Sequence, residues 1–161
     1  MPLTVDRVVR LRDGRSMGYA QYGTRDGFPV VTAHGGLACR LDVAAAADPV
    51  ATECGIRLIS PDRPGVGLSD PKPGRTVLDW AHDVAELLDQ VDVDRFAVMG
   101  WSMGGQYAAA VGHALRHRVT RVARVRCRSP SPVCSRSCRP WTASSPGCRS
   151  GRHGWRNSGF G

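Results

Sequence analysis

The chain runs out of acid before it runs out of length. Its last aspartate or glutamate is Asp94, and its final 36 residues contain no Leu, Ile or Met. Lysine occurs once, at Lys72. The N-terminal stretch "MPLTVDRVVRLRDGR" has no apolar segment followed by a small-residue cleavage site, which argues against a secretory leader. No apolar run approaches the length that spans a bilayer, which argues against a membrane segment. The chain is therefore expected to be cytoplasmic. Its thiols should be reduced there, and its six cysteines are not expected to form a disulfide set.

What is present divides the chain in two. With 161 residues it has the size of about one domain. The net charge of +8 is unevenly spread. Residues 1–115 carry 11 basic and 14 acidic side chains, whereas residues 116–161 carry 11 arginines and no acid. Asymmetry of this size marks a change in the character of the chain.

Up to residue 125 the patterning is that of alternating strands and helices. Residues 7–22 read as two strands joined at Asp13-Gly14, because glycine accepts the positive φ of a tight hairpin. "FPVVTAHGG" (28–36) is a short apolar strand ending in His34-Gly35-Gly36. Residues 42–54 are alanine-rich and helical in character. "GIRLISPDRPGVGLSDP" (55–71) is a strand followed by a Pro/Gly-rich loop. In residues 76–93, Val77, Trp80, Ala81, Val84, Leu87, Leu88 and Val91 recur at spacings of three and four, one face of a helix. "RFAVMGW" is a strand, "GGQYAAAVGHAL" a helix, and residues 118–125 a further strand. This alternation predicts an α/β fold whose mostly parallel sheet is covered by helices on both faces.

The pattern ends there. Residues 126–161 hold 8 Ser, 7 Arg, 4 Cys and 4 Pro. Such a segment has too little apolar area to offset the entropy of ordering it. The expected division is a domain over 1–125 and a disordered basic tail over 126–161.

One motif in the first part points to chemistry. Gly100-Trp101-Ser102-Met103-Gly104, with Gly105 next, matches G-x-S-x-G between a predicted strand and a predicted helix. That spacing suits a nucleophilic serine on a sharp turn. Gly100 and Gly104 keep side chains out of the place where helix and strand nearly touch, and the helix start aims N–H groups at the reacting oxygen. The N–H of Met103 is one candidate oxyanion donor. His34-Gly35-Gly36, at the end of an earlier strand, can lend a second from Gly36.

"HGG" after one strand, "PDRPGVGLSDP" after the next and "GWSMGG" after the third together resemble the α/β-hydrolase superfamily over about residues 7–125. The resemblance implies the first six strands of an eight-stranded sheet, Ser102 as nucleophile, and Gly36 and Met103 as oxyanion donors. It also implies that Asp62 and Arg63 tie loops near the site. Dehalogenases and epoxide hydrolases of the family carry an aspartate where this chain has Ser102, so ester, thioester or amide hydrolysis through an acyl-Ser102 is the implied reaction. A small-molecule ester or amide is the implied substrate, and no cofactor is implied. The oligomeric state stays open.

The family's triad follows the order Ser, then Asp or Glu, then His. Here no acid follows Ser102. His34 belongs to the oxyanion turn, His82 precedes the motif, and His113 and His117 are expected at the surface. His153 lies in the tail, 51 residues past Ser102, too few for the remaining strands and helices. Neither triad acid nor triad base is identified, and the chain is expected to be inactive or severely impaired.

Three readings of the tail stand side by side. Cys127, Cys134, Cys138 and Cys148, with His153, could bind zinc, though only the middle interval fits a ligand pair, so no metal is assigned. Seven arginines with Trp141, Trp155 and Phe160 could contact nucleic acid, in which case the chain is a non-catalytic binding protein with an Arg-rich arm for nucleic acid or an acidic partner. The leading reading is a frameshift of a GC-rich gene: Arg126 to Pro130 admit codons that, one base on, read Gly-Ala-Val-Pro. A domain cut here would leave residues 118–125 as an unpaired edge strand, and poor solubility is expected.

Overall fold

A computed structural model describes residues 6–125, without the side chains of residues 44–47. Its strands are β1 (Arg7–Arg10), β2 (Ser16–Gly23), β3 (Phe28–Ala33), β4 (Ile56–Pro61), β5 (Phe96–Trp101) and β6 (Val119–Val125). The helices are α1 (Ala44–Glu53), α2 (Val77–Gln90) and α3 (Gly104–Ala114). The six strands form one sheet in the order β1-β2-β4-β3-β5-β6. β1 pairs antiparallel with β2, and β2 with β4, while the β4–β3, β3–β5 and β5–β6 pairs are parallel. This is the expected architecture.

Alternation along each strand sends neighbouring side chains to opposite faces. Val31, Ala33, Ile59, Phe96 and Val98 join the larger apolar cluster with Trp80, Ala81, Val84, Leu87 and Leu88 of α2 and Tyr107, Ala108 and Val111 of α3. Val30, Leu58 and Met99, one residue out of step, join the smaller cluster with Ala51 of α1. α2 and α3 therefore cover one face and α1 the other. The apolar stripe read from residues 76–93 is the buried face of α2. Thr76 starts that helix with a capping box: its hydroxyl accepts the Asp79 N–H, and the Asp79 carboxylate accepts the Thr76 N–H.

The first hairpin uses Asp13-Gly14 in a wider form than the tightest one. Gly14 sits at φ +84°, but Asp13 has a negative φ, which rules out the two-residue turn that needs both residues left-handed. The Gly14 N–H donates to Leu11 O at 2.9 Å, and the Leu11 N–H to Arg15 O at 2.8 Å.

Among the described residues β6 pairs with β5 alone. Its alternate residues Arg121, Ala123 and Val125 are exposed. The readings of residues 126–161, including Cys127, Cys134, Cys138, Cys148 and His153, lie outside the described residues.

Candidate active site

Only Ser102 and Met103 separate the end of β5 from the start of α3. The reversal is possible because Ser102 adopts φ +52°, one of two non-glycine residues at positive φ among those described. An L-residue held there costs about 1–2 kcal/mol. The turn is secured on both sides: the Ser102 N–H donates to Val125 O at 2.9 Å, and the Gly105 N–H donates to Ser102 O at 3.1 Å. Ser102 and Met103 are exposed, whereas Gly104 and Gly105 are buried.

Two glycines make the turn sterically possible. A Cβ on Gly100 would stand 2.2 Å from Gly104 O, and one on Gly104 would stand 2.0 Å from Ala33 O and 2.7 Å from His34 O. The second contact joins the elbow to the earlier turn: α3 begins against the end of β3. The flanking side chains complete the contact. The Trp101 ring would lie 2.9 Å from a Cβ on Gly35, and Met103 Cε lies 3.1 Å from the Cβ position of Gly36. The structure thus brings together His34, Gly35, Gly36, Gly100, Trp101, Ser102, Met103, Gly104 and Gly105, which the sequence scatters over two segments.

The orientation of the glycine turn follows from its hydrogen bonds. Gly35 O accepts from Arg63 Nη2 at 2.7 Å, and His34 O from Arg63 Nη1 at 3.2 Å. A trans peptide points its C=O and its N–H in opposite directions, and no peptide among the described residues is cis. The Gly36 N–H therefore points away from Arg63. The Gly35 N–H donates to Asp42 Oδ2 at 3.2 Å, an oxygen that also accepts the indole N–H of Trp101. Asp42 thus ties the glycine turn to the elbow.

His34 is 1% exposed and cannot act as a base for Ser102. Its Nε2 accepts the Arg63 main-chain N–H at 3.3 Å, so its proton is on Nδ1, which donates to Gly35 O at 3.0 Å. Burial, then the charge of Arg63, lowers its pKa below the usual 6.5. His82, His113 and His117 are exposed, as expected for the latter two. Among the described residues no imidazole or carboxylate is hydrogen-bonded to the Ser102 hydroxyl.

Asp62 and Arg63 do hold loops together. The fully buried Asp62 carboxylate accepts the N–H of Arg40 at 2.6 Å and of Leu68 at 2.9 Å, and pairs with the Arg40 guanidinium at 3.1 Å. Arg63 lies over the Tyr107 ring, 4.8 Å from its centroid. Trp80 meets the same ring edge-on. Among the described residues no group of three His, Cys, Asp or Glu side chains could hold a metal ion. A cleft of about 360 Å³ lined by Asp89, Asp92, Val93, Asp94, His117 and Arg118 lies where β5 begins, whereas Ser102 follows its end. That places the cleft about 20 Å from the elbow, and it has no part in this site.

Sheet order, elbow and glycine turn together define an α/β-hydrolase. The family model for the alpha/beta hydrolase fold matches residues 29–143, and the chain belongs to that family. It is 33% identical over 133 residues to a non-heme chloroperoxidase of Streptomyces lividans, an overlap of 78% of this chain and 46% of that protein. Among solved structures it resembles a hydrolase from Pseudomonas aeruginosa, with a TM-score of 0.66 and 26% identity over 73% of this chain and 44% of that one. It also resembles the epoxide hydrolase CorEH, with a TM-score of 0.67 and 26% identity over 74% of this chain and 41% of that one. The chain spans less than half the length of the curated relatives it matches. Both solved neighbours are named as hydrolases, and the family is that of the alpha/beta hydrolase fold. No helix among the described residues is long and apolar enough to cross a membrane.

Proposed function

We propose that Ser102 is the nucleophile of an esterase-like site that this chain carries without its general base. The left-handed φ of +52° at Ser102, between strand and helix, is the observation that carries this reading. In the reaction, Ser102 Oγ attacks the carbonyl carbon of an ester, thioester or amide and gives up its proton. The carbonyl oxygen becomes an oxyanion facing the N–H groups of Met103 and Gly36. Collapse expels the alcohol, thiol or amine and leaves an acyl-Ser102, which water then hydrolyses.

Both steps need a proton acceptor. In subtilisin, loss of the triad histidine costs on the order of 10⁶ in turnover. A loss of that order is the expectation of this reading for the 161 residues given, in which His34 is committed to the turn and no Asp or Glu follows Ser102. We take residues 126–161 as a product of a shifted reading frame, with the missing acid and base encoded in another frame.

Incubation of the full chain with an activated ester such as p-nitrophenyl acetate tests the proposal. One acetyl group per chain, mapped to Ser102 and slow to leave, supports it. Acetylation that persists in Ser102→Ala, or rapid repeated turnover, contradicts it.

A further inference from the structure

We infer that Arg63 is a positioning residue that locks the Gly35–Gly36 peptide with its N–H turned out as an oxyanion donor. The inference rests on the reading of Gly36 given above.

A Gly-Gly peptide has no Cβ on either side to resist rotation of its plane. A half-turn would exchange the N–H for a carbonyl and set an oxygen against a developing oxyanion. Something must hold the plane, and the fork of Arg63 is placed to do so. Nη1 donates to His34 O at 3.2 Å, and Nη2 to Gly35 O at 2.7 Å and Gly36 O at 3.4 Å. One guanidinium thus spans three consecutive carbonyls. The Nδ1–H of His34 adds a second donor to Gly35 O at 3.0 Å.

Arg63 is itself held. Its main-chain N–H donates to His34 Nε2 at 3.3 Å, its guanidinium lies on Tyr107, and it is 3% exposed. It forms no salt bridge among the described residues, unlike the buried Arg40, which pairs with Asp62. A buried cation without a carboxylate is costly for a fold. Its donors are directed at the carbonyls of one turn, and only a planar fork of this width can reach them together, so lysine is no substitute.

Labelling by a fluorophosphonate tests this without an internal base. At pH about 9.5 hydroxide takes the serine proton, Oγ bonds to phosphorus, fluoride leaves, and the phosphoryl oxygen occupies the oxyanion site. The full chain at submicromolar concentration is compared with Arg63→Lys, Arg63→Gln, Arg75→Gln and Ser102→Ala. Arg75 donates to the Tyr107 hydroxyl at 3.0 Å and touches no carbonyl of the turn.

The inference expects both Arg63 variants to bond at least about tenfold more slowly, with the reversible binding constant of the probe unchanged. Arg75→Gln should label at the wild-type rate. Folded Arg63 variants that bond at the wild-type rate overturn the inference. So does the failure of both to fold, which would make Arg63 a residue of the core. Labelling that survives in Ser102→Ala instead overturns the reading of Ser102 as nucleophile.

Discussion

Replacing Ser102 by glycine should make the protein more stable while destroying its site. The Ser102 hydroxyl is exposed and makes no hydrogen bond among the described residues, so Ser102→Ala should change stability by less than about 0.5 kcal/mol. That variant keeps the left-handed φ of +52°. Glycine removes the Cβ and with it about 1–2 kcal/mol of strain. Against this stands the extra unfolded-state entropy of glycine, about 0.5–1 kcal/mol. Ser102→Gly should therefore exceed Ser102→Ala by up to about 1.5 kcal/mol, and by about 0.75 kcal/mol at the centre of these ranges. For a chain of this size the central value raises the melting midpoint by about 1.5–3 °C. Urea and thermal unfolding followed by circular dichroism measure the difference, with equal urea slopes as the check that only stability has changed. A glycine variant no more stable than the alanine variant would refute the claim that the turn stores strain at Ser102.

Gly104→Ala should act in the opposite direction. Its Cβ meets main-chain Ala33 O at 2.0 Å, which no side-chain rotation relieves, so a loss of about 3 kcal/mol or more in unfolding experiments is expected. Stability should also depend on pH through His34. The unfolded imidazole takes up a proton near its ordinary 6.5 that the folded ring resists, so stability is full above that pH and falls as the pH drops below it. His34→Gln should abolish that slope, and a wild-type chain of constant stability between about pH 7 and 5 would contradict the assignment. A second, more acidic loss should come from Asp79, whose pKa is lowered to about 2 by the Thr76 hydroxyl and main-chain N–H. Its contribution is present above its ordinary 3.8 and is lost as the pH falls towards 2; Asp79→Asn should remove it. The gene read past codon 125 in its other frames should encode apolar strands, an acidic residue and then a histidine; absence of all three from both frames would end the frameshift reading.

The fold was legible because its signals are local. Trp80, Val84, Leu87 and Leu88 repeat at helical spacing, and Val31, Ile59 and Val98 lie in short apolar runs, so elements and their order could be read without knowing what touches what. The elbow was legible for the same reason: glycine, serine and glycine fall within five residues, between a strand and a helix. Asp42 was not. Its partners are Gly35 and Trp101, 7 and 59 residues away, and no pattern around it distinguishes it from any exposed aspartate. The role of Arg63 was legible only in part. The family resemblance carried by the loop "PDRPGVGLSDP" implies that it ties loops near the site, but its contact with three carbonyls of the 34–36 turn depends on the pairing of β3 with β4, which sequence spacing does not reveal.

The central claim is a correctly built serine elbow with no base to drive it. It is tested most directly by the mass of the intact chain, followed over time after mixing with p-nitrophenyl acetate, with the modified peptide then sequenced. The account predicts a single acetyl group that accumulates slowly on Ser102 and stays there, at a rate that climbs with hydroxide concentration. Rapid turnover near neutral pH would contradict it by showing that a base is present, and an unmodified Ser102 would contradict it by showing that the elbow does not work.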